Sequence, residues 1–523
     1  MLTRDASASY EAVRTSFNWR LPRRYNLGVD VCDRRPPAAP AILVVDGRRV
    51  TRCVTFGELA ELSNQFANVL RGLGVGEGDR VAILLPQRLE AAVAHIAVYK
   101  LGAIAVPLSV LFGPEALEVR LGDADAAVVI GETEALERVA GLGRELTTIE
   151  VDRDFEALLG RASPRFEPVL AGPDAPALII YTSGTTGPPK GALHAHRVLH
   201  GHVPGFELSH EFFPQKGDLI WTPADWAWIG GLFDVLMPSL HHGRPVVAFR
   251  PPKFDPEQAF DLIARLGIRN VFIPPTALRM MRATDGPGLT LRTVASGGES
   301  VDEETLAWSL DRLGAPVNEF YGQTEANLLV GNCAAAWPIK AGWMGRPYPG
   351  HDVRVIEGEI AVRAADDPVV FLGYWRNPRA TAEKIRDGWL RTGDLAEADE
   401  EGNLRYLGRA DDIIVSAGYR IGPSEIEQSL LQHPAVALAA VVGSPDEVRG
   451  EIVKAFVVLV PGAEASPELA AELQGFVRSR LAIHEYPREV EFVNSLPLTT
   501  TGKIRRGELR RLEAERKGRM PSS

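Results

Sequence analysis

Apolar residues recur along this chain in two alternating rhythms. From Thr55 the period is helical, with Leu59, Leu62, Phe66, Leu70 and Leu73 on one face. Thr55-Phe56-Gly57-Glu58 has the spacing of a capping box at its start, and Gly74 stops the run. Arg80–Leu85 then reads as a buried strand, and a helix over Leu89–Leu101 followed by a strand over Ile104–Pro107 repeats the unit. The same alternation returns in strand-like runs at 218–222, 245–249, 270–273, 293–296 and 317–321. Strands separated by helical segments predict an α/β fold, with parallel sheets covered by helices on both faces.

After Asp411 the texture changes. Ile413-Ile414-Val415 and Tyr419-Arg420-Ile421 read as a short hairpin, and a helix follows from Pro423 to His433. Strands at 436–442 and 452–460, a helix and a last strand at 489–493 complete a small α+β domain. The expected organisation is a large domain over residues 1–410 and a small C-terminal domain over 411–523, divided near Asp411.

Composition narrows the function. A chain of 523 residues is too long for one simple core. Its net charge of −11, with no basic block to offset it, excludes nucleic acid as the expected partner. Three scattered cysteines (Cys32, Cys53, Cys333) indicate neither a disulfide framework nor a zinc site. No run approaches membrane-spanning length and the start lacks the apolar core of a signal peptide, so a soluble cytoplasmic protein without a membrane partner is expected.

The chemistry is concentrated in one loop. Residues 181–191 read Tyr-Thr-Ser-Gly-Thr-Thr-Gly-Pro-Pro-Lys-Gly, directly after the apolar run Ala177-Leu178-Ile179-Ile180. Gly184 and Gly187 let backbone N–H groups turn toward one point. Ser183, Thr185 and Thr186 add hydroxyl donors and Lys190 a positive charge, so the loop suits a polyphosphate. It is not a Walker loop, which needs four residues between its glycines and Lys-Ser/Thr after the second. Further along stand Ser296-Gly297-Gly298-Glu299, Tyr321-Gly322-Gln323-Thr324-Glu325, Arg391-Thr392-Gly393-Asp394, Gly408-Arg409-Ala410-Asp411-Asp412 and Thr501-Gly502-Lys503.

In residues, order and spacing these motifs resemble the adenylate-forming superfamily of acyl-CoA synthetases, peptide-synthetase adenylation domains and luciferases. The resemblance runs from about residue 40 to about 515. It implies a large domain that binds ATP and a carboxylic acid, and a small mobile C-terminal domain that closes over them. The implied reaction joins a carboxylate to AMP with loss of pyrophosphate, then passes the acyl group to coenzyme A.

The resemblance also assigns roles. Thr182, Ser183, Gly184, Thr185, Thr186 and Gly187, with Lys190, would hold the outer phosphates. Glu325 would coordinate Mg2+, and Thr324 would donate to the α-phosphate. Gly297, Gly298 and Glu299 would lie along adenine, beside Tyr321 and Gln323. Asp394 would accept from the ribose hydroxyls and Arg409 would assist there. Lys503 would bridge the substrate carboxylate and the α-phosphate as charge develops. A hinge at Asp411 would then let Gly418, Tyr419 and Arg420 face coenzyme A. The basic cluster Lys503, Arg505, Arg506, Arg510 and Arg511 reads either as a solvated helix face or as a landing site for that polyanion.

Within the superfamily the chain resembles acetate-type and medium-chain fatty acid CoA ligases. Its segment 221–228 is similar to their acyl pocket, which would place Trp226, Trp228, Gly230 and Gly322 beside the acyl chain. Acetate-specific members carry tryptophan where Gly322 stands, so an acyl chain longer than acetate is expected, from propionate to medium length. An aromatic acid is the alternative substrate, and a stand-alone adenylation enzyme that loads a separate carrier protein is the alternative function. His194, His196, His200 and His202 mimic a metal-site spacing, but no carboxylate or cysteine completes it and packing or solvated histidines are expected.

Overall fold

The computed structural model describes residues 2, 9–182, 189–249, 251, 253–284, 286–416, 419–446 (except the Arg420 side chain), 449–481, 486–499 and 503–518. It divides into two compact units. The first comprises Met1–Thr182, Pro189–Val353 and Val362–Leu390; the second comprises Ser183–Pro188, Arg354–Ala361 and Arg391–Ser523.

The first unit is α/β, as the alternating periods predict, and contains two large sheets. Six strands of one run parallel, in the spatial order Val317–Gln323, Thr293–Gly297, Asn270–Phe272, Ile220–Trp221, Val246–Ala248 and Pro40–Asp46. Antiparallel strands flank them: Ala326–Gly331 and Arg346–Pro347 at one edge, Arg49–Thr55 at the other. In the second sheet Pro176–Thr182, Ile104–Pro107, Arg80–Leu84, Val128–Gly131 and Thr147–Glu150 run parallel. Lys190–Ala195 and Gly373–Tyr374 extend it in the antiparallel sense.

Helices between the sheets explain the parallel strands. Phe56–Gly72 is closed at its start by the expected capping box, with Thr55 and Glu58 each bonding the other's backbone. It buries Leu59, Phe66 and Leu70. Leu89–Lys100 is buried at every position except Glu90 and shares one apolar core with residues of both sheets, among them Val81, Ile83, Ile42 and Val246. A helix apolar on every face belongs inside a molecule. Its terminal Lys100 is buried too, and donates to Asp33 at 2.7 Å, Ser63 at 2.9 Å and Asn64 at 2.8 Å. Such pairing is what makes a buried ammonium tolerable.

The second unit carries the expected small domain. Ile414–Ser416 and Tyr419–Ile421 form the antiparallel hairpin, and Pro423–Leu431 is the helix after it. Val436–Asp446 and Gly450–Leu459 pair antiparallel, and Glu489–Phe492 joins the latter in parallel. Helices Pro467–Arg478 and Arg506–Arg516 complete it.

Candidate active site

Parallel α/β sheets gather ligands at the carboxyl ends of their strands, and the motif residues of the first unit lie there. Thr293–Gly297 and Val317–Gln323 are neighbours with Gly297 opposite Phe320, so residues 297–299 and 321–325 emerge side by side. Gly297 has a packing reason to be glycine: a Cβ there would come within 2.6 Å of the Phe320 ring. Gly298 adopts φ +96°, a conformation that a side chain would strain. Glu299 accepts from Arg279 at 2.9 Å and Thr276 at 3.1 Å, so its carboxylate is held by this pair. Thr324-Glu325 forms the two-residue turn between Val317–Gln323 and Ala326–Gly331.

The phosphate-loop motif joins two paired strands. Thr182 lies opposite Lys190 in the antiparallel ladder, and its hydroxyl donates to the Lys190 carbonyl at 3.3 Å. Lys190 therefore opens a strand rather than sitting within a loop. Ser183, Gly184, Thr185, Thr186 and Gly187 lie outside the described residues.

One residue that the motifs did not flag ties these parts together. Tyr374, on the edge strand of the second sheet, donates its hydroxyl to Glu325 Oε1 at 2.5 Å. The Lys190 ammonium sits 5.3 Å above the same ring. Tyr374 thus links the cation beside the phosphate loop with a buried carboxylate at the end of the other sheet. Its only sequence signal is an aromatic pair, Tyr374-Trp375, after the apolar run Val369–Leu372.

The segment expected to line the acyl pocket is pinned firmly. Gln87 donates to the carbonyl of Thr222 at 3.0 Å and to that of Ala224, and Ser109 donates to Asp225 at 3.3 Å. Trp226 is sealed in the apolar core, 1% exposed. Trp228 is half-buried and meets Phe112 edge-on at 5.7 Å. Gly322 corrects the argument built on it, because a Cβ there would lie 2.5 Å from both Asn327 Oδ1 and Leu328 N. The adjoining strand fills the space toward which a side chain would start, so glycine here is needed by the hairpin. No chain-length channel can be read from the missing indole alone.

Of the four histidines after the phosphate loop, His194, His196 and His202 are buried and His200 is half-buried. Desolvation pulls His194, His196 and His200 down to about 4 and His202 to about 3, keeping all four neutral at physiological pH. His196 accepts from Leu27 N at 3.1 Å, and His200 packs against Tyr25 with ring centroids 4.7 Å apart. They are packing residues.

In the second unit Asp394 and Arg409 face one another on paired strands, with Arg409 Nη1 3.6 Å from Asp394 Oδ1. Arg409 also donates to Asp411 at 3.1 Å. Lys503 is exposed; its N–H donates to the Thr499 hydroxyl at 3.0 Å and its carbonyl accepts from Thr499 N–H at 2.7 Å. Tyr419 is 54% exposed. Gly418 and the side chain of Arg420 lie outside the described residues.

The arginines of the basic cluster are each paired with a carboxylate. Arg506 binds Glu427 through two bonds of 2.9 and 2.5 Å, and Arg510 pairs with Asp412. Arg505 and Arg511 pair with Glu508 at 2.7 Å and Glu515 at 2.6 Å.

Comparison with known proteins decides the family. Residues 30–375 match the AMP-binding enzyme family and residues 425–503 the AMP-binding enzyme C-terminal domain. The chain belongs to the AMP-binding enzyme family. It is 35% identical to a human mitochondrial acyl-coenzyme A synthetase, ACSM4, over 96% of this chain and 93% of that protein. ATP-bound MatB from Rhodopseudomonas palustris superposes with a TM-score of 0.85 at 29% identity, covering 94% of this chain and 99% of that one. The anthranilate CoA ligase AuaEII in complex with anthranoyl-AMP gives 0.86 at 26% identity, covering 95% and 99%. Membership makes this chain an enzyme, an AMP-forming acid–thiol ligase of the acyl-CoA synthetase class. Among the described residues no helix is long and apolar enough to cross a membrane.

Proposed function

We propose that the enzyme activates a short- to medium-chain fatty acid with ATP and transfers the acyl group to coenzyme A. The observation that carries the reading is the Lys190–Tyr374–Glu325 chain. It sets a cation and a carboxylate beside the strand ends where the nucleotide motifs emerge. The similarity to ACSM4 over nearly the whole chain supports the acyl-CoA half of the assignment.

A carboxylate is a poor electrophile, and joining it to AMP supplies the leaving group it lacks. The residues then have mainly to position reactants and stabilise charge. Glu325 fits a hard cation: it is a buried oxygen donor with Oε1 oriented by Tyr374, and that bond leaves Oε2 for a metal. Mg2+ held by Glu325 would neutralise phosphate charge. Thr324 and residues 182–187 would hold phosphate oxygens, and Asp394 with Arg409 the ribose. Lys503, which is exposed, would bridge the two reacting groups.

For thioester formation the small domain, residues 411–523, would turn about Asp411, carrying Lys503 away and presenting residues 418–420 to coenzyme A. The pairing of Arg506 with Glu427 and of Arg510 with Asp412 weighs against the helix face as the cradle for its phosphates.

The test is acid-dependent AMP formation with and without coenzyme A, across acids from acetate to decanoate plus benzoate. Rapid AMP release that requires coenzyme A, with an optimum between propionate and decanoate, is the expected result. Adenylate formation with no turnover on coenzyme A would instead identify a carrier-loading enzyme. A benzoate optimum would favour the aromatic reading.

A further inference from the structure

Next to the glycines expected beside the acyl chain lies a polar pair that a pocket for plain hydrocarbon does not need. Asp234 is 3% exposed and accepts from Asn327 Nδ2 at 2.6 Å. The pair spans the interval between the two glycines expected beside the acyl chain. A Cβ on Gly230 would stand 3.6 Å from Asp234 Oδ2 and 3.3 Å from the Phe272 ring, and one on Gly322 would meet Asn327 Oδ1. Both glycines are partly exposed, so the surface they border is open to a ligand. Asp234 also sits in a π-helical turn, Leu232–Leu236, a distortion that occurs often at functional sites.

We propose that Asp234 is a specificity residue that recognises a hydroxyl on the acyl group, so that the preferred acid is hydroxylated. This rests on the acyl-CoA ligase reading and names its substrate more narrowly. Oδ1 is engaged by Asn327, while Oδ2 lies on the side of Gly230 and Phe272. A saturated acyl chain packed there would offer Oδ2 no hydrogen-bond partner, which is costly for a buried polar atom. A hydroxyl restores the bond. It can accept from a protonated carboxyl or donate to an ionised one, so it suits Oδ2 in either state. Burial pushes the Asp234 carboxyl well above the usual carboxylate range, despite the opposing bond from Asn327. A neutral Oδ2–H would then donate to the substrate oxygen while the substrate hydroxyl donates elsewhere. Sites built to bond a substrate hydroxyl reject the analogue that lacks it far better than apolar pockets reject an added one.

The experiment measures dissociation constants of N-acylsulfamoyl adenosines, stable mimics of the acyl adenylate, by calorimetry. Probes carry hexanoyl, each hydroxyhexanoyl isomer, benzoyl and each hydroxybenzoyl isomer. At least one hydroxylated probe should bind tenfold or more tightly than its parent, about 1.4 kcal/mol. Asp234→Leu should erase that ratio and tighten the parent probe, while Asp234→Asn, which keeps the volume and a polar terminus, should retain part of it. Parent probes binding as tightly as every hydroxylated isomer would overturn the proposal, as would a ratio unchanged in Asp234→Leu. Failure to make the coenzyme A thioester would defeat the ligase reading but leave these ratios measurable, so the two ideas fail separately.

Discussion

Tyr374 shows how one side chain can organise a site it does not announce. With its hydroxyl gone but its ring kept, Tyr374→Phe should preserve the Lys190 contact and release Glu325. We expect roughly a tenfold drop in acid-dependent pyrophosphate release, as for loss of a hydrogen bond to a charged group, and a higher Mg2+ requirement. An unchanged Mg2+ titration would show that Tyr374 does not orient Glu325. Glu319 makes a different point. It lies in the strand that leads to Glu325, and burial raises its carboxyl from 4.5 to about 8, against a weaker opposing bond from Val301 N. Below pH 4.5 folded and unfolded chains both hold the proton. Between 4.5 and 8 the unfolded chain ionises first, so this residue's effect is to make stability fall as pH rises. Glu319→Gln should therefore match the wild type near pH 4.5 and exceed it in urea midpoint at pH 8. The Asp234–Asn327 and Tyr374–Glu325 pairs were hidden from the sequence for one reason: their members lie 93 and 49 residues apart. No periodicity links them until the sheets assemble.

Elements were more legible than contacts, though unevenly. The amphipathic helix Phe56–Gly72 could be read from its apolar face and cap. So could the small domain's hairpin, because a change of texture precedes it. Ala326–Gly331 was not, since the turn that introduces it is Thr324-Glu325 rather than an Asn-Gly or Asp-Gly pair. There the residues expected to do chemistry also make the turn. Trp226 was ambiguous in the sequence because a core indole and a pocket indole obey the same pattern, and only burial separates them. The hairpin also limits what Gly322 can become. Gly322→Ala places a methyl group against the backbone of Leu328 and the amide of Asn327, and should cost about 1–3 kcal/mol in urea unfolding. A cost near zero would mean that the two strands separate easily, and would reopen the chain-length argument.

Across the whole molecule the buried histidines set a limit on acid tolerance. Their folded values of about 3 to 4 lie below the ordinary 6.5. Above pH 6.5 both states are neutral and the fold keeps its full stability. As pH falls toward 4 the unfolded chain takes up protons that the folded chain refuses, and stability is lost. The unfolding midpoint should drop steeply from pH 6.5 to 5, and replacing His200 with phenylalanine should make that drop shallower. A flat profile over the interval would show that the histidines protonate without unfolding.

The order of strands in the nine-stranded sheet has a consequence for synthesis. The hairpin Pro40–Thr55 is made first, yet its neighbour in the sheet is Val246–Ala248. At 5–20 residues per second the ribosome needs roughly ten to forty seconds to reach that partner. Until then the apolar edge formed by Ile42, Leu43 and Val44 has no strand to pair with. A nascent chain stalled before residue 246 should therefore be a strong client for chaperones that bind extended apolar segments, and one stalled only after residues 246–248 have left the ribosome a much weaker one.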